Sequence, residues 1–130
     1  MNYFQNLHKN KNIGNNRVMK EICLADNHCH LLKEYYQNTA QEVERLEKGS
    51  GLKYIASMGV DFNTNKELLE LKNSIKTKFL KIGAWIHPEE VIKLGKLVNH
   101  EIDRVGEQIR KNADLIDFVG EVGIDYSYPH

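Results

Sequence analysis

Two histidines one residue apart mark the part of the chain that is best suited to chemistry. His28 and His30 lie in the segment LADNHCHLLKEY, residues 24–35, directly after a run that predicts a β-strand. Side chains two positions apart on an extended segment point to the same face, so both imidazoles share a face and Cys29 points away. Two neutral imidazoles at this spacing are good ligands for zinc and similar divalent ions. The alternative is that both histidines are only polar residues in a turn.

The elements that must position these histidines alternate along the chain. Short apolar runs predict four strands, over residues 21–26, 53–60, 79–86 and 115–124. Helical periodicity predicts three helices between them, over residues 33–49, 64–78 and 88–111. Strands that alternate with helices in this way indicate βαβ units and a parallel sheet. We therefore expect an α/β fold with strand order 1-2-3-4 and the helices on one face, as in half of a TIM barrel.

Polar or ionisable side chains lie at the predicted carboxyl end of every strand. They are Asp26, His28, His30, Asp61, His87, Glu89, Glu121 and Asp125. In parallel α/β folds, ligands and catalytic groups collect at this edge of the sheet. Glu121 is therefore a candidate to complete a site for one ion or to bridge two ions.

The roles of two neighbouring residues stay open on sequence grounds. His87 precedes Pro88, which favours an extended turn at the start of the next helix. His87 is thus either a contact for a substrate phosphate, an acid outside the ligand set, or a helix cap. Asp26 is predicted to orient a ligand or the turn rather than to bind a metal directly.

Length and composition limit the alternatives. The 130 residues fit one domain, which we place at residues 19–130, whereas the polar, Asn- and Lys-rich residues 1–18 predict a disordered or artefactual extension. Lys plus Arg equals Asp plus Glu, 18 against 18, so no electrostatic footprint for nucleic acid or membrane is present. Cys23 and Cys29 are too few for a disulfide framework and are expected to be reduced thiols of a cytoplasmic protein. No signal peptide and no membrane span are predicted.

Three short motifs give the sequence a family resemblance. DNHCHL, from Asp26, resembles the D-x-H-x-H opening of the TatD-type metal-dependent hydrolases, which are amidohydrolase-like TIM barrels. GAWIHPEEV, which contains His87, resembles their G-x-H-P segment. VGEVGIDY, which contains Glu121 and Asp125, resembles their I-G-E-x-G-L-D-Y segment. The motifs occur in the order of that family and cover about residues 20–128.

The resemblance implies a divalent-metal-dependent hydrolase that acts on phosphodiester bonds, commonly those of DNA. His28 and His30 would be metal ligands, and Glu121 would be the catalytic carboxylate that bridges two metal ions. The ions would be zinc, magnesium or manganese. His87 and Asp125 would lie on the substrate side of the site, with His87 near a phosphate.

The resemblance covers only the N-terminal half of an eight-stranded barrel. The family's further histidine ligands and its late aspartate follow the VGEVGIDY segment, and the printed sequence has few residues beyond it. We therefore expect a fragment that is inactive alone and needs a C-terminal half or a second copy as partner. Half a barrel should also leave its inner face open to water and both sheet edges unpaired.

Two other functions compete with this hypothesis. One is a non-catalytic half-barrel that self-associates, or an inactive remnant. The other is a different H-x-H metallophosphoesterase that acts on small phosphate esters. An open reading frame that continues with further His and Asp motifs would favour the hydrolase, whereas a genuine stop codon would favour the non-catalytic half-barrel.

Overall fold

Four parallel strands alternate with helices in the computed structural model, which describes residues 22–123. The strands are β1 (Leu24–Cys29), β2 (Leu52–Met58), β3 (Leu80–Ala84) and β4 (Phe118–Val119). The helices are α1 (Thr39–Gly49), α2 (Phe62–Ser74), α3 (Pro88–Leu94) and α4 (Val98–Lys111), and a 3-10 turn (Gly95–Leu97) joins the last two. The sheet order is β1-β2-β3-β4 and every pairing is parallel. The predicted α/β arrangement of half a TIM barrel is confirmed.

The hydrophobic core lies between one face of the sheet and the helices. Ile55 of β2 and Ile82 of β3 point into it, each 1 % exposed. Val43 of α1 and Leu68 of α2 cover them, also at 1 % exposure. α4 packs beside α2, where the Gln108 side chain donates to the Phe62 carbonyl at 3.1 Å. Burial of these branched side chains is the main term that stabilises the sheet.

Strand β1 begins three residues later than predicted and ends at Cys29 instead of Asp26. His28 therefore lies within the strand and His30 directly after it. The predicted β4 is too long, because within the described part of residues 115–124 only Phe118 and Val119 pair with β3. The apolar residues before Phe118 lie in a turn and a loop, so hydrophobicity there marks packing and not strand pairing.

All three predicted helices also differ from the prediction in their boundaries or continuity. α1 starts at Thr39 because the Asn38 side chain accepts a hydrogen bond from the Gln41 N–H at 3.0 Å and caps the helix. α2 is capped by Asp61, three residues before the predicted cap at Thr64, and it ends at Ser74. The predicted single helix over 88–111 is broken at Gly95, whose φ of 53° lies in the left-handed region that interrupts an α-helix.

The inner face of the sheet is less open to water than expected. A Cβ added at Gly83 would lie 2.1 Å from the Phe118 ring and 2.9 Å from the Met58 sulfur, so the ring covers this glycine. Ala56 and Met58, on the same face, are 4 % and 9 % exposed. The expectation of a fully open inner face is therefore wrong at its centre, because one aromatic side chain closes over a residue without a side chain.

The predicted extension, residues 1–18, lies outside the described residues. Within residues 22–123, none of the helices combines the length and apolar character that crossing a bilayer requires.

The Asp117 side chain connects the start of β4 to β3 and α2 through hydrogen bonds and ion pairs. Its Oδ2 accepts hydrogen bonds from the Ile82 N–H at 2.9 Å and from Lys72 of α2 at 3.1 Å. Its Oδ1 lies 3.1 Å from the ammonium of Lys81. Partial burial opposes ionisation of Asp117, but the Ile82 N–H and the two lysines outweigh it and lower the pKa of this carboxyl group.

We predict that the contribution of Asp117 to stability is lost in acid. A carboxyl group with a lowered pKa in the folded state stabilises above its unfolded pKa of about 4 and stops doing so as the pH falls through its folded value. Asp117→Asn should lower the free energy of unfolding by about 1 kcal/mol at pH 7, because solvent screens part of the interaction. In urea unfolding, this difference from wild type should shrink below pH 4. Asp114→Asn, at an exposed position on the same loop, is the control and should change little.

The two cysteines differ in their surroundings. The Cys29 thiol donates to the Ala56 carbonyl at 3.4 Å, and burial, with a smaller effect from the Asp26 charge, raises its pKa to about 11. Cys23 is exposed. Because thiolates are the reactive form, Cys29 should be inert at neutral pH.

A thiol-specific reagent should therefore modify one cysteine of the native protein quickly and the other only after unfolding. Ellman's reagent at pH 8 measures this, and Cys23→Ser should remove the fast phase entirely. Equal rates for both thiols in the native protein would contradict the protection of Cys29, which is half-buried and hydrogen-bonded to Ala56.

Candidate metal centre

The carboxyl end of β1 is anchored on both sides of the two histidines. The Asp26 carboxylate accepts a hydrogen bond from the His28 N–H at 2.9 Å, so Asp26 bonds to the backbone of the residue that presents the first imidazole. Beyond His30, the Leu31 N–H donates to the Ser57 hydroxyl of β2 at 2.9 Å. The register of β1 against β2 shifts on both sides of Asp26, between Leu24 and Asp26 and between Asp26 and Cys29, an irregularity of the kind found next to functional sites. The backbone that presents both imidazoles is therefore fixed by neighbouring groups.

The structure brings three of the predicted site residues together. The Nε2 atoms of His28 and His30 lie 3.2 Å apart, with the rings edge to face. Glu121, just beyond β4, places its Oε2 atom 3.4 Å from Nε2 of His28. One ligand atom from each of the three residues lies within 4.8 Å of the others. Two imidazoles and one carboxylate thus face a common point at the edge of the sheet.

The orientation of His30 makes its Nε2 atom an electron-pair donor. Its Nδ1 atom lies 2.9 Å from the Met58 carbonyl oxygen, which can only accept a hydrogen bond. The proton of the neutral ring therefore sits on Nδ1, and the lone pair is on Nε2. Histidines that bind metals usually have their other ring nitrogen fixed in this way by a carbonyl or carboxylate.

The donor atoms fit a small divalent cation. Zinc–nitrogen and zinc–oxygen bonds of about 2.0–2.1 Å in tetrahedral geometry place neighbouring ligand atoms about 3.3 Å apart. The two shorter separations here, 3.2 Å and 3.4 Å, match that edge. The Oε2 atom of Glu121 is also buried without a hydrogen-bond partner among the described residues. A buried carboxylate oxygen without a partner is costly unless a cation or donor completes it.

His87 lies on the other side of Glu121 with the opposite polarity. It caps α3, and its Nδ1 atom accepts a hydrogen bond from the Glu89 N–H at 3.2 Å. The proton of the neutral ring is therefore on Nε2, which lies 3.6 Å from Oε1 of Glu121. His87 thus presents an N–H donor toward the site, whereas His30 presents a lone pair. Of the roles that the sequence left open for His87, the helix cap is observed; the phosphate contact and the acid role stay predictions, for a ring that lies beside Glu121.

Among the other predicted strand-end residues, Asp61 and Glu89 do not belong to the cluster. Asp61 caps α2, where its side chain accepts from the Thr64 N–H at 2.8 Å. Glu89 lies in the first turn of α3. Asp125 lies outside the described residues. Two groups that position the histidines were not predicted from the sequence, the Ser57 hydroxyl and the Met58 carbonyl. A serine within an apolar strand is a signal that could have indicated the first, whereas a backbone carbonyl leaves no signal in the sequence.

Comparisons with known proteins agree with this geometry. No curated protein matches the chain. The family model for the TatD related DNases matches residues 25–130, which include the three residues of the cluster and His87. This match spans most of the chain. The chain therefore belongs to the TatD-related DNase family.

Proposed function

We propose that this chain is a divalent-metal-dependent hydrolase of phosphodiester bonds, with DNA as substrate, and that His28, His30 and Glu121 hold the metal. The observation that carries the proposal is the convergence of two imidazole nitrogens on a buried carboxylate oxygen that has no hydrogen-bond partner among the described residues. The membership in a family that is generally metal-dependent supports it.

The charge of the cluster suits a phosphate substrate. A bound divalent cation would supply Lewis acidity toward a phosphoryl oxygen and would make a neighbouring water more acidic. His28 and His30 are neutral when they offer lone pairs, so Glu121 contributes the single negative charge of the ligand set. The loaded site would keep a net positive charge that attracts an anionic group. The His28 side chain is 48 % exposed, which leaves one side of the cluster accessible to a large substrate.

His87 would act on the substrate side. Its Nε2–H points toward the cluster and lies 3.6 Å from Oε1 of Glu121, and a ring nitrogen that carries a proton can donate to a phosphate oxygen but cannot bind a metal. We propose that this N–H donates to a non-bridging phosphate oxygen. Asp125 stays a predicted substrate contact. Glu121 is also the residue that would serve a second metal ion, as the family resemblance implies.

The edges of the sheet support a proposal about partners. Within the described residues, β1 pairs only with β2 and β4 pairs only with β3. Leu24 on β1 and Val119 on β4 are 49 % and 55 % exposed. Unpaired, apolar edges associate with further strands. We propose that a C-terminal half or a second copy supplies them; a non-catalytic half-barrel would use the same edges.

The metal site is tested by titration with Zn²⁺ or Mn²⁺ in a calorimeter. Replacing both His28 and His30 by alanine should weaken binding by more than about 100-fold, since it removes two of three ligands. Glu121→Gln should also weaken binding, because it removes the only charge among them. His100→Ala is the matched control, since His100 is exposed on α4, away from the three clustered residues.

Unchanged affinity in the His28→Ala/His30→Ala variant would show that the metal site is elsewhere. Cleavage of a labelled DNA oligonucleotide is the second measurement. Any hydrolysis by the wild-type chain should disappear with a chelator and with Glu121→Gln. Hydrolysis that survives both treatments would contradict the proposed function.

A further inference from the structure

We propose that Asn65 is a positioning residue that holds His87 in place at the site. This inference rests on the proposed function, because it gives the phosphate-binding role to His87. Asn65 lies in the first turns of α2 and is 1 % exposed. It belongs to none of the motifs that suggest chemistry in the sequence. The Asn65 side chain does not touch the cluster but ties the backbone before His87 to α2.

The amide of Asn65 bonds to the segment that leads into His87. Its Nδ2 donates to the Trp85 carbonyl at 2.9 Å. Because a carbonyl can only accept, the NH₂ group of the amide must be the part that faces it. Trp85 follows the last residue of β3 and precedes His87 by two positions. The side chain of Asn65 therefore restrains the loop at the point where the strand has already ended.

Two backbone hydrogen bonds complete this connection between the loops after β2 and β3. The Gly59 N–H donates to the Gly83 carbonyl at 3.1 Å, and the His87 N–H donates to the Val60 carbonyl at 2.8 Å. Asn65 bonds to Trp85, which lies between Gly83 and His87 in the sequence. The parallel ladder of β2 and β3 is thus continued past the strand ends as far as His87.

The surroundings of Asn65 indicate that a polar side chain is needed at this buried position for its hydrogen bond. Its Oδ1 atom is buried and has no hydrogen-bond partner among the described residues. A Cβ added at Gly59 would lie 2.1 Å from this atom and 2.8 Å from the Asn65 backbone nitrogen, so the amide occupies the space a side chain at position 59 would need. An apolar residue would avoid the cost of an unpaired buried oxygen. The bond to Trp85 is the contribution that an apolar residue cannot make.

The experiment compares Asn65→Asp with Asn73→Asp. Both substitutions replace an amide by a carboxylate of the same size on α2, but Asn73 is exposed. In Asn65→Asp, a carboxylate oxygen replaces the Nδ2 that donates to the Trp85 carbonyl, so this hydrogen bond is lost and the His87 segment should detach. Hydrogen exchange of the His87 amide should accelerate by about tenfold relative to the core amide of Ile55, the size expected for one buried hydrogen bond. Asn73→Asp should leave this ratio unchanged.

The second readout is the affinity of the Mn²⁺-loaded protein for inorganic phosphate. Asn65→Asp should weaken phosphate binding about as much as His87→Ala, while the affinity for Mn²⁺ stays within about twofold of wild type. The double variant should be no weaker than His87→Ala, because residues that act through one group are not additive. Asn65→Ser, which is smaller, replaces Asn65→Asp if that variant does not fold.

The outcomes separate this inference from the proposed function. If wild type binds neither Mn²⁺ nor phosphate, the proposed function fails. In that case the hydrogen-exchange rate of the His87 amide alone tests whether Asn65 positions that residue. An unchanged exchange ratio in Asn65→Asp would overturn the inference. Additive losses of phosphate affinity in the double variant would overturn it as well.

Discussion

Parallel pairing of four strands is the constraint on which the candidate site depends. The histidines lie at the carboxyl end of the first strand and Glu121 follows the last one, so these residues are far apart in sequence. Only a sheet in which every strand runs in the same direction brings all of those ends to one edge. Reversing a single strand would move its side chains to the opposite edge, out of reach of the others.

The short fourth strand is the part of this arrangement that needs additional support. Two residues pair with β3, which is too few to fix a strand by ladder hydrogen bonds alone. Asp117 adds bonds to the Ile82 N–H and to Lys72, and the Phe118 ring packs over Gly83. These contacts at the base of β4 precede Glu121 by a few residues. The position of Glu121 therefore depends on the charged contacts of Asp117 and on the packing of Phe118, and not on the length of β4.

Polarity is divided within the site in a way that suits metal-assisted chemistry. His30 faces the cluster with a lone pair because its Nδ1–H donates to the Met58 carbonyl, whereas His87 faces it with an N–H because the Glu89 amide donates to its other nitrogen. Glu121 lies between them and offers one oxygen to each side. The same residue type thus has two roles, set by the backbone group behind each ring.

Much of this could be predicted from the sequence, because the signals are local or periodic. The βαβ alternation predicted the sheet order, and the spacing of His28 and His30 predicted that they share a face. The break at Gly95 was missed because the apolar stripe continues through it, although the glycine was visible. The late start of α1 depends on the Asn38 cap, which competes with an equally helical run before it. The tautomers of His30 and His87 depend on tertiary contacts that no residue pattern encodes.

The most direct test of the convergent site is the broadening of histidine ring signals by Mn²⁺ in NMR spectra. A paramagnetic ion held by His28, His30 and Glu121 should broaden the rings of His28 and His30 at the lowest Mn²⁺ concentrations. His87, next to Glu121, should follow, and the exposed ring of His100 should stay sharp. Uniform broadening of all these rings, or broadening of His100 first, would contradict a metal site at the carboxyl edge of the sheet.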